Sequence, residues 1–402
     1  MREITLFPGE ELNFFGEISN PVGLISDEKI EAKYVAGEVR IVTEQARYPL
    51  SSVPVMLASG NYSLNPEFQR RHRWGNVKKS RLIESLIMNV PIPPIFLYEY
   101  QYSHYEVMDG LQRLSTIRDF YDNKFFLEGL EEWAELNNRT YSQLPPQIRN
   151  GIDRRYLSSM ILLQETAKTK EEAERMKQLV FERINSGGIK LEPQEGRNAI
   201  YPGALNTLCI KLARNCYLCR MWGIPEPTSS ERDDAIDLSL ELLENESYKK
   251  MEDVELVLRF FAYRHRLKHQ KGALGNYLDK FQKLGNNLPQ SVLQSYEDLF
   301  NKTTELVHAV LGEQAFWLWR KRATGWSWFS RPTTVLYDPI MFAFSQVLEH
   351  SELLISRRDY IRESMPGFYE KNYMNLEGRY TNLSNISERN KIFEDLINSF
   401  LK

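Results

Sequence analysis

Cysteine is scarce in this chain: Cys209, Cys216 and Cys219 are the only three in 402 residues. Three thiols cannot build a disulfide framework, and they point to a reducing compartment. Long apolar runs are missing as well. A run such as Ser159-Met160-Ile161-Leu162-Leu163 is far too short to span a bilayer, and the opening MREITLFPGEEL has no apolar stretch of the signal-peptide kind. The expectation is a cytoplasmic protein with no membrane contact. Neither sign of charge dominates: 51 Lys and Arg stand against 54 Asp and Glu, a formal charge of -3. That balance excludes a generally basic nucleic-acid coat, so any contact with DNA or nucleotide has to come from a local patch. The phosphate loop G-x-x-x-x-G-K-[ST] is absent, and so is any repeat of fixed period.

Metal-binding signals are thin, and no residue is assigned to a metal. Cys216 and Cys219 have C-x-x-C spacing without a second ligand pair and read as buried helical thiols rather than a zinc site. His265 and His269 are four apart and could chelate a metal on a helix. Arg264, Arg266 and Lys268 make their surroundings hostile to a cation, and the stretch reads instead as an exposed basic helix.

At this length two domains are expected. The first sixty residues, rich in Val, Ile, Tyr and Phe and broken by Gly and Pro, read as a strand-rich extension. From Asn76, a possible cap, Leu82, Ile83, Leu86 and Ile87 fall at helical spacing until Pro91, Pro93 and Pro94 stop the helix. Strands are expected at Ile95–Tyr100, Tyr105–Met108 and Leu157–Gln164, with a helix opening at Gly110 between the last two. Thr169–Ile184 is strongly helical, and nearly everything after Leu191 reads as helices joined by polar turns. The boundary is placed near residue 167, giving domains 1–167 and 168–402 in an α+β chain.

Three segments carry the chemistry. In Tyr105-Glu-Val-Met-Asp-Gly-Leu-Gln-Arg113 a short strand runs into a tight turn at Gly110 and then a helix, with Asp109 placed to cap it. Free N–H groups and the positive dipole end at such a helix start suit an anion. Arg113 sits in that first turn, where a cation opposes the dipole by ~0.3–1 kcal/mol. Either a phosphate lies between guanidinium and helix end, or Arg113 pairs with Asp109 or Glu106. The second segment is cationic: Arg70, Arg71, Arg73, Lys78, Lys79 and Arg81, with His72 and Trp74 among them and no acid between. It reads as a phosphate-binding cluster or as a solvated basic face. In the third segment Arg183 and Asn185 lead into Gly187 and Gly188, and a new helix starts at Pro193 with Glu195 at its third position. Glu195, Arg197 and Asn198 crowd more polar groups around this bend than capping requires.

A fourth segment holds four of the seven tryptophans, Trp317, Trp319, Trp326 and Trp328, around Arg320, Lys321 and Arg322. Read as a helix, Trp317 and Trp319 would point different ways. Aromatics interleaved with cations suit base stacking with phosphate contact; the alternative is a packing cluster.

In order along the chain, Pro66-Glu-Phe-Gln-Arg70 with Arg73-Trp74, Leu82-Ile-Glu-Ser-Leu86, Pro91-Ile-Pro-Pro94, Asp109-Gly-Leu-Gln-Arg113, Phe181-Glu-Arg-Ile-Asn-Ser-Gly-Gly188 and Glu252-Asp-Val-Glu-Leu-Val-Leu-Arg-Phe260 resemble the DGQQR-motif domain of GmrSD-type, modification-dependent restriction systems. The resemblance extends over roughly residues 60 to 340. It implies a ParB/sulfiredoxin-like N-terminal domain, followed by a mostly α-helical domain. It also implies binding and hydrolysis of a nucleoside triphosphate with Mg²⁺, tied to cleavage of modified phage DNA in antiviral defence. The family motif falls on Asp109, Gly110, Gln112 and Arg113. On this reading Asp109, Gln112 and Arg113 are the catalytic candidates. Arg70, Arg73, Lys78, Gly110, Arg183, Asn185, Gly187 and Gly188 are the nucleotide-binding candidates, and the tryptophan segment is the candidate DNA contact. Two departures stand out. Leu111 replaces a glutamine, and the HNH nuclease domain that the family often carries has no counterpart here, His308 and His350 being isolated. DNA cleavage is therefore expected from a partner chain. The alternatives are a non-enzymatic, nucleotide-gated DNA-binding switch and an interaction scaffold with a degenerate site.

Overall fold

The structure, a computed structural model, describes residues 5–14, 26–28, 31–32, 41–64, 74–163, 169–186, 192–228, 238–323, 325–376 and 383–402. Its contacts divide the chain into two compact units, Ser19–Leu191 and Met1–Ile18 with Glu192–Lys402. The boundary expected near residue 167 compares with a division at Leu191, so the helix after residue 169 belongs to the first of these units.

That unit is built on a five-stranded mixed sheet: β1 (Thr43–Pro49), β2 (Tyr62–Ser63), β3 (Ile95–Gln101), β4 (His104–Asp109) and β5 (Tyr156–Leu162), in the order β1-β5-β3-β4-β2. The β3–β4 hairpin and the β1–β5 pair are antiparallel, and β3 runs parallel to β5. The sheet curls far enough for its edge strands to touch, the Tyr48 and Tyr62 rings meeting edge to face with centroids 6.4 Å apart. Helices α1 (Val53–Ala58), α2 (Asn76–Ile87), α3 (Leu111–Tyr121), α4 (Pro146–Asp153) and α5 (Lys170–Ser186) complete it.

The expected α2 and α3 form because their apolar residues recur at helical spacing, which lets one face close over the sheet. Leu82, Ile83 and Leu86 from α2 and Leu114, Ile117 and Phe120 from α3 meet Ile95, Leu97, Leu157 and Ile161 of the strands in one buried core. Burial of each such side chain stabilises by about 1.5–3 kcal/mol. After α2 the chain leaves through Asn89 in the left-handed region, ahead of the proline run. Two details of the expected caps change. Gly75 and not Asn76 is the N-cap of α2, and Gly110 and not Asp109 is the N-cap of α3. Residues 53–58 form a helix where strands and turns were expected, with Pro54 in the first turn, where its missing N–H costs nothing.

The second unit is helical: α6 (Pro193–Ile200), α7 (Ala204–Leu212), α8 (Cys216–Trp222), α9 (Glu252–His269), α10 (Leu274–Gly285), α11 (Gln290–Leu311), α12 (Thr334–Ser345), α13 (Arg358–Lys371) and α14 (Leu383–Ser399), with short helical turns between them. The α+β reading with a helical C-terminal part holds. One element departs from it: β6 (Trp317–Arg322) and β7 (Gly325–Pro332) form an antiparallel ribbon where helix was expected. Alternation of aromatic and cation at Trp317, Trp319, Trp326 and Trp328 has a period of two, which is the strand period, so these side chains share a face.

The exposed basic helix expected around His265 is corrected too, because Arg264, His265 and Arg266 are all buried in α9. Their countercharges come from far away in sequence. Glu10, on the segment Thr5–Phe14, accepts both guanidinium arms of Arg264 (3.1 and 3.0 Å), Nε2 of His265 (2.8 Å), the Tyr296 hydroxyl (2.8 Å) and the Phe7 amide (2.8 Å). Asp338 of α12 takes Arg259 and Arg266. The Phe14 ring stacks on His269 at 4.5 Å. Burial alone would raise the Glu10 carboxyl, but hydrogen bonds from His265 and Arg264, the Arg264 charge and the Phe7 amide outweigh it and hold it at about 2.

Two consequences can be measured. Glu10→Ala, which strands Arg264 in the interior, is expected to cost about 3–5 kcal/mol in urea unfolding. Because the folded pKa of Glu10 lies below its usual 4.5, its contribution of about 3 kcal/mol is complete above that value and drains away as pH falls toward 2. Melting temperature followed from pH 5 to 2.5 should therefore fall more steeply in wild type than in Glu10→Gln; parallel slopes would refute the assignment.

Candidate functional site

The Asp109–Arg113 segment is a strand-to-helix junction. Strand β4 ends at Asp109, Gly110 turns the chain with φ +96°, and α3 begins at Leu111. Glycine is required twice over here. The positive φ is one that L residues avoid, and a Cβ would lie 2.9 Å from Cβ of Ile95 and run into its Cγ2. Such a close approach lays the start of α3 directly on β3.

Arg113 is only 11% exposed. One terminal nitrogen donates to Asp109 Oδ2 at 2.6 Å. The other donates to the carbonyls of Pro93 and Pro94, the latter at 3.2 Å. Of the two partners open from the sequence, Asp109 is the one used. Glu106 instead takes Lys177 of α5 at 2.5 Å, and the same ammonium lies over the Tyr98 ring at 5.7 Å. The guanidinium thus ties three pieces together: the end of β4, the first turn of α3 and the proline turn before β3. Asp109 is 40% exposed, and only its Oδ2 is used by Arg113.

Gln112 reaches the other way, its Oε1 accepting the Trp74 amide at 3.2 Å. Trp74 immediately precedes Gly75, the N-cap of α2, so the starts of α2 and α3 stand side by side. Neither has a side-chain cap, and neither has an acid in its first turn. Among the described members of the basic segment, Arg81 pairs with Glu131 (2.7 Å) as a solvated basic face would, while Lys79 pairs with Asp119 (3.4 Å) largely out of solvent. Lys78 differs: its ammonium lies 4.6 Å over the Trp74 indole, at the start of α2. Arg70 and Arg73 lie outside the described residues, as do Gly187, Gly188 and the side chain of Asn185. Arg183 is exposed in the last turn of α5.

Leu111, the departure from the family motif, is buried in the sheet–helix core. The polar crowd after the Gly-rich bend is structural. Glu192 and Glu195 form a capping box at the start of α6. Buried Arg197 joins Glu255 (2.7 Å) and Asp279 (2.6 Å) on α9 and α10, while Gln194 bonds Asn198 and Gln282. Arg259 carries the chain of charges on to Asp338. In this way Glu255 and Arg259 of the Glu252–Phe260 motif help to hold α6, α9, α10 and α12 together. Sequence reading saw the density of polar groups but had no means of pairing them.

A curled mixed sheet carrying a glycine-hinged strand-to-helix turn with an Asp–Arg pair is the class of domain these features define. Residues 55–202 match the family model of the GmrSD restriction endonuclease, N-terminal domain. Over residues 55–202 the chain is therefore similar to a GmrSD-type N-terminal domain. The match ends before the Glu252–Phe260 motif. No curated protein and no solved structure matches the chain. Among the described residues no helix is long and apolar enough to cross a membrane.

The junction makes a direct prediction. Gly110→Ala should destabilise the protein by about 2–4 kcal/mol, from the positive φ and from overpacking against Ile95. A loss below ~0.5 kcal/mol in urea unfolding would mean that the turn tolerates a side chain and is not the hinge described.

Proposed function

We propose that this chain is the nucleoside-triphosphate-binding, and hydrolysing, component of a DNA-directed restriction system acting in antiviral defence. The observation that carries the proposal is the side-by-side start of α2 and α3. Two neighbouring helix N-termini without side-chain caps offer first-turn N–H groups and positive dipole ends, which suit a polyphosphate. Lys78 adds a cation there, and the Trp74 indole beside it offers a stacking surface. Arg70, Arg73, Arg183, Asn185, Gly187 and Gly188 remain nucleotide-binding candidates on the ground of the family resemblance.

Arg113 acts first as a positioning group. By holding Asp109 and the Pro93–Pro94 carbonyls it sets the carboxylate at the mouth of the α3 start and shapes the turn that a phosphate would meet. On this reading Asp109 would help to hold Mg²⁺, which would neutralise charge on the triphosphate, and Gln112 would help to orient the attacking water. DNA is the macromolecular partner that the family resemblance supports, modified phage DNA in particular. A nuclease partner is proposed for the cleavage step.

A second reading has its own observation. With the Leu111 side chain in the core, that position offers no side-chain hydrogen bond to a ligand. Binding without turnover, as in a nucleotide-gated switch, is the form the site would then take.

The test is titration of the four ribonucleoside triphosphates with Mg²⁺, followed by turnover assays, on wild type, Lys78→Ala and Arg113→Ala. Loss of a charge-assisted contact to phosphate should raise Kd about tenfold or more for Lys78→Ala, and Arg113→Ala should abolish both binding and turnover. Turnover absent in wild type, with binding intact, selects the switch. Absence of binding by any of the four would sink the proposal.

A further inference from the structure

From Gln314 to Tyr337 the chain has no acidic residue and four cations, Arg320, Lys321, Arg322 and Arg331, in a protein whose net charge is -3. Most of this segment is the β6–β7 ribbon, and the register sorts its side chains by face. Trp319 pairs across the strands with Trp328, and Lys321 with Trp326. Three of the four half-buried indoles are engaged by other side chains of the protein. Trp319 donates Nε1 to Glu370 of α13 at 2.9 Å and meets Trp328 edge-on at 5.2 Å. Trp328 lies edge-on to Tyr369 and Trp326 edge-on to Tyr373. The alternate residues, Arg320, Arg322, Phe329 and Arg331, take the opposite face. There the guanidiniums of Arg320 and Arg331 lie over the Phe329 ring at 5.1 and 4.6 Å. All three arginines are exposed, and none forms an ion pair with a described residue.

We infer that this arginine face of the β6–β7 ribbon docks on the phosphate backbone of duplex DNA. The inference rests on the DNA-directed reading above and adds the place and mode of contact. Planar guanidiniums match phosphate oxygens two at a time, and stacking on Phe329 holds two of them in order before binding, which lowers the entropy lost on contact. The duplex is favoured over a single strand for two reasons. A two-stranded ribbon is narrow enough to enter the major groove. Single-strand binders rely on exposed aromatics for base stacking, and here the tryptophans face α13 and the turn after it. Arg331 and Phe329 thereby join the contact, and the tryptophans become its support.

Binding of a labelled, unmodified 30-base-pair duplex to the full chain, by fluorescence anisotropy between 50 and 200 mM salt, tests this. Each phosphate contact contributes about 0.9 to the slope of log K against log salt, so three contacts weaken binding about 40-fold over that range. The triple variant Arg320→Ala, Arg322→Ala, Arg331→Ala should lose that part of the slope while keeping the wild-type melting temperature, and the triple Arg→Lys variant should retain most of it. An unchanged slope in the alanine variant, or tighter binding of the matching single strand, overturns the inference. Nucleotide titration of the same variants separates the two readings. Wild type that binds nucleotide but not duplex removes this contact and leaves the nucleotide site standing; wild type that binds duplex with the expected slope but no nucleotide does the reverse.

Discussion

A guanidinium held at the wrong end of a helix organises the sheet-containing unit. Arg113 stands in the first turn of α3, where the dipole disfavours a cation, and is kept there by a carboxylate on one side and two proline carbonyls on the other. The carboxylate and the proline carbonyls belong to different pieces of chain. The turn can close only because Gly110 accepts a positive φ and brings no side chain against Ile95. Around this clamp the rest of the candidate site assembles: Gln112 is turned toward Trp74, the start of α2 is drawn beside the start of α3, and Asp109 is left half-exposed at their mouth.

The helical unit relies on a different device, the matching of buried charges over long sequence distances. Asp279, Arg197, Glu255, Arg259 and Asp338 form a chain of alternating signs through four helices, and Glu10 neutralises Arg264 beside His265. Buried ion pairs contribute little net stability against apolar replacements, but removing one partner leaves a charge without solvent or counterion. Such a network therefore penalises every arrangement but one, and fixes how α6, α9, α10 and α12 pack. That family-like motifs fall on these residues means that part of the motif pattern records packing and not ligand contact.

Much of the sheet-containing unit was legible in the sequence. Leu82, Ile83 and Leu86 announced a helix, the Pro91–Pro94 run announced its end, and Ile95–Tyr100 and Tyr105–Met108 announced two strands, because the apolar periods of helix and strand differ and both are local properties. The glycine hinge was legible for the same reason. What failed did so where two local readings were equally good. Trp317 and Trp319, two apart, were read on a helix, although alternation at a period of two is the strand signature. His265 among arginines was read as surface, because a run of cations says nothing about where its acids are.

The sequence by itself determined the local geometry of the candidate site: a strand, a glycine turn, and a helix opening with a glutamine and an arginine. It also determined the family of the N-terminal domain, through the order of its motifs. Only the tertiary structure decided what the charged groups do. Arg113 pairs with Asp109 while Glu106 goes to Lys177, Arg264 finds Glu10 across more than 250 residues, and the tryptophans of the ribbon turn inward while its arginines turn out. Periodicity and turn chemistry act over a few residues and can be read along the chain. Charge pairing and the choice of buried face depend on which elements meet in space, and that is set by the packing of the whole unit.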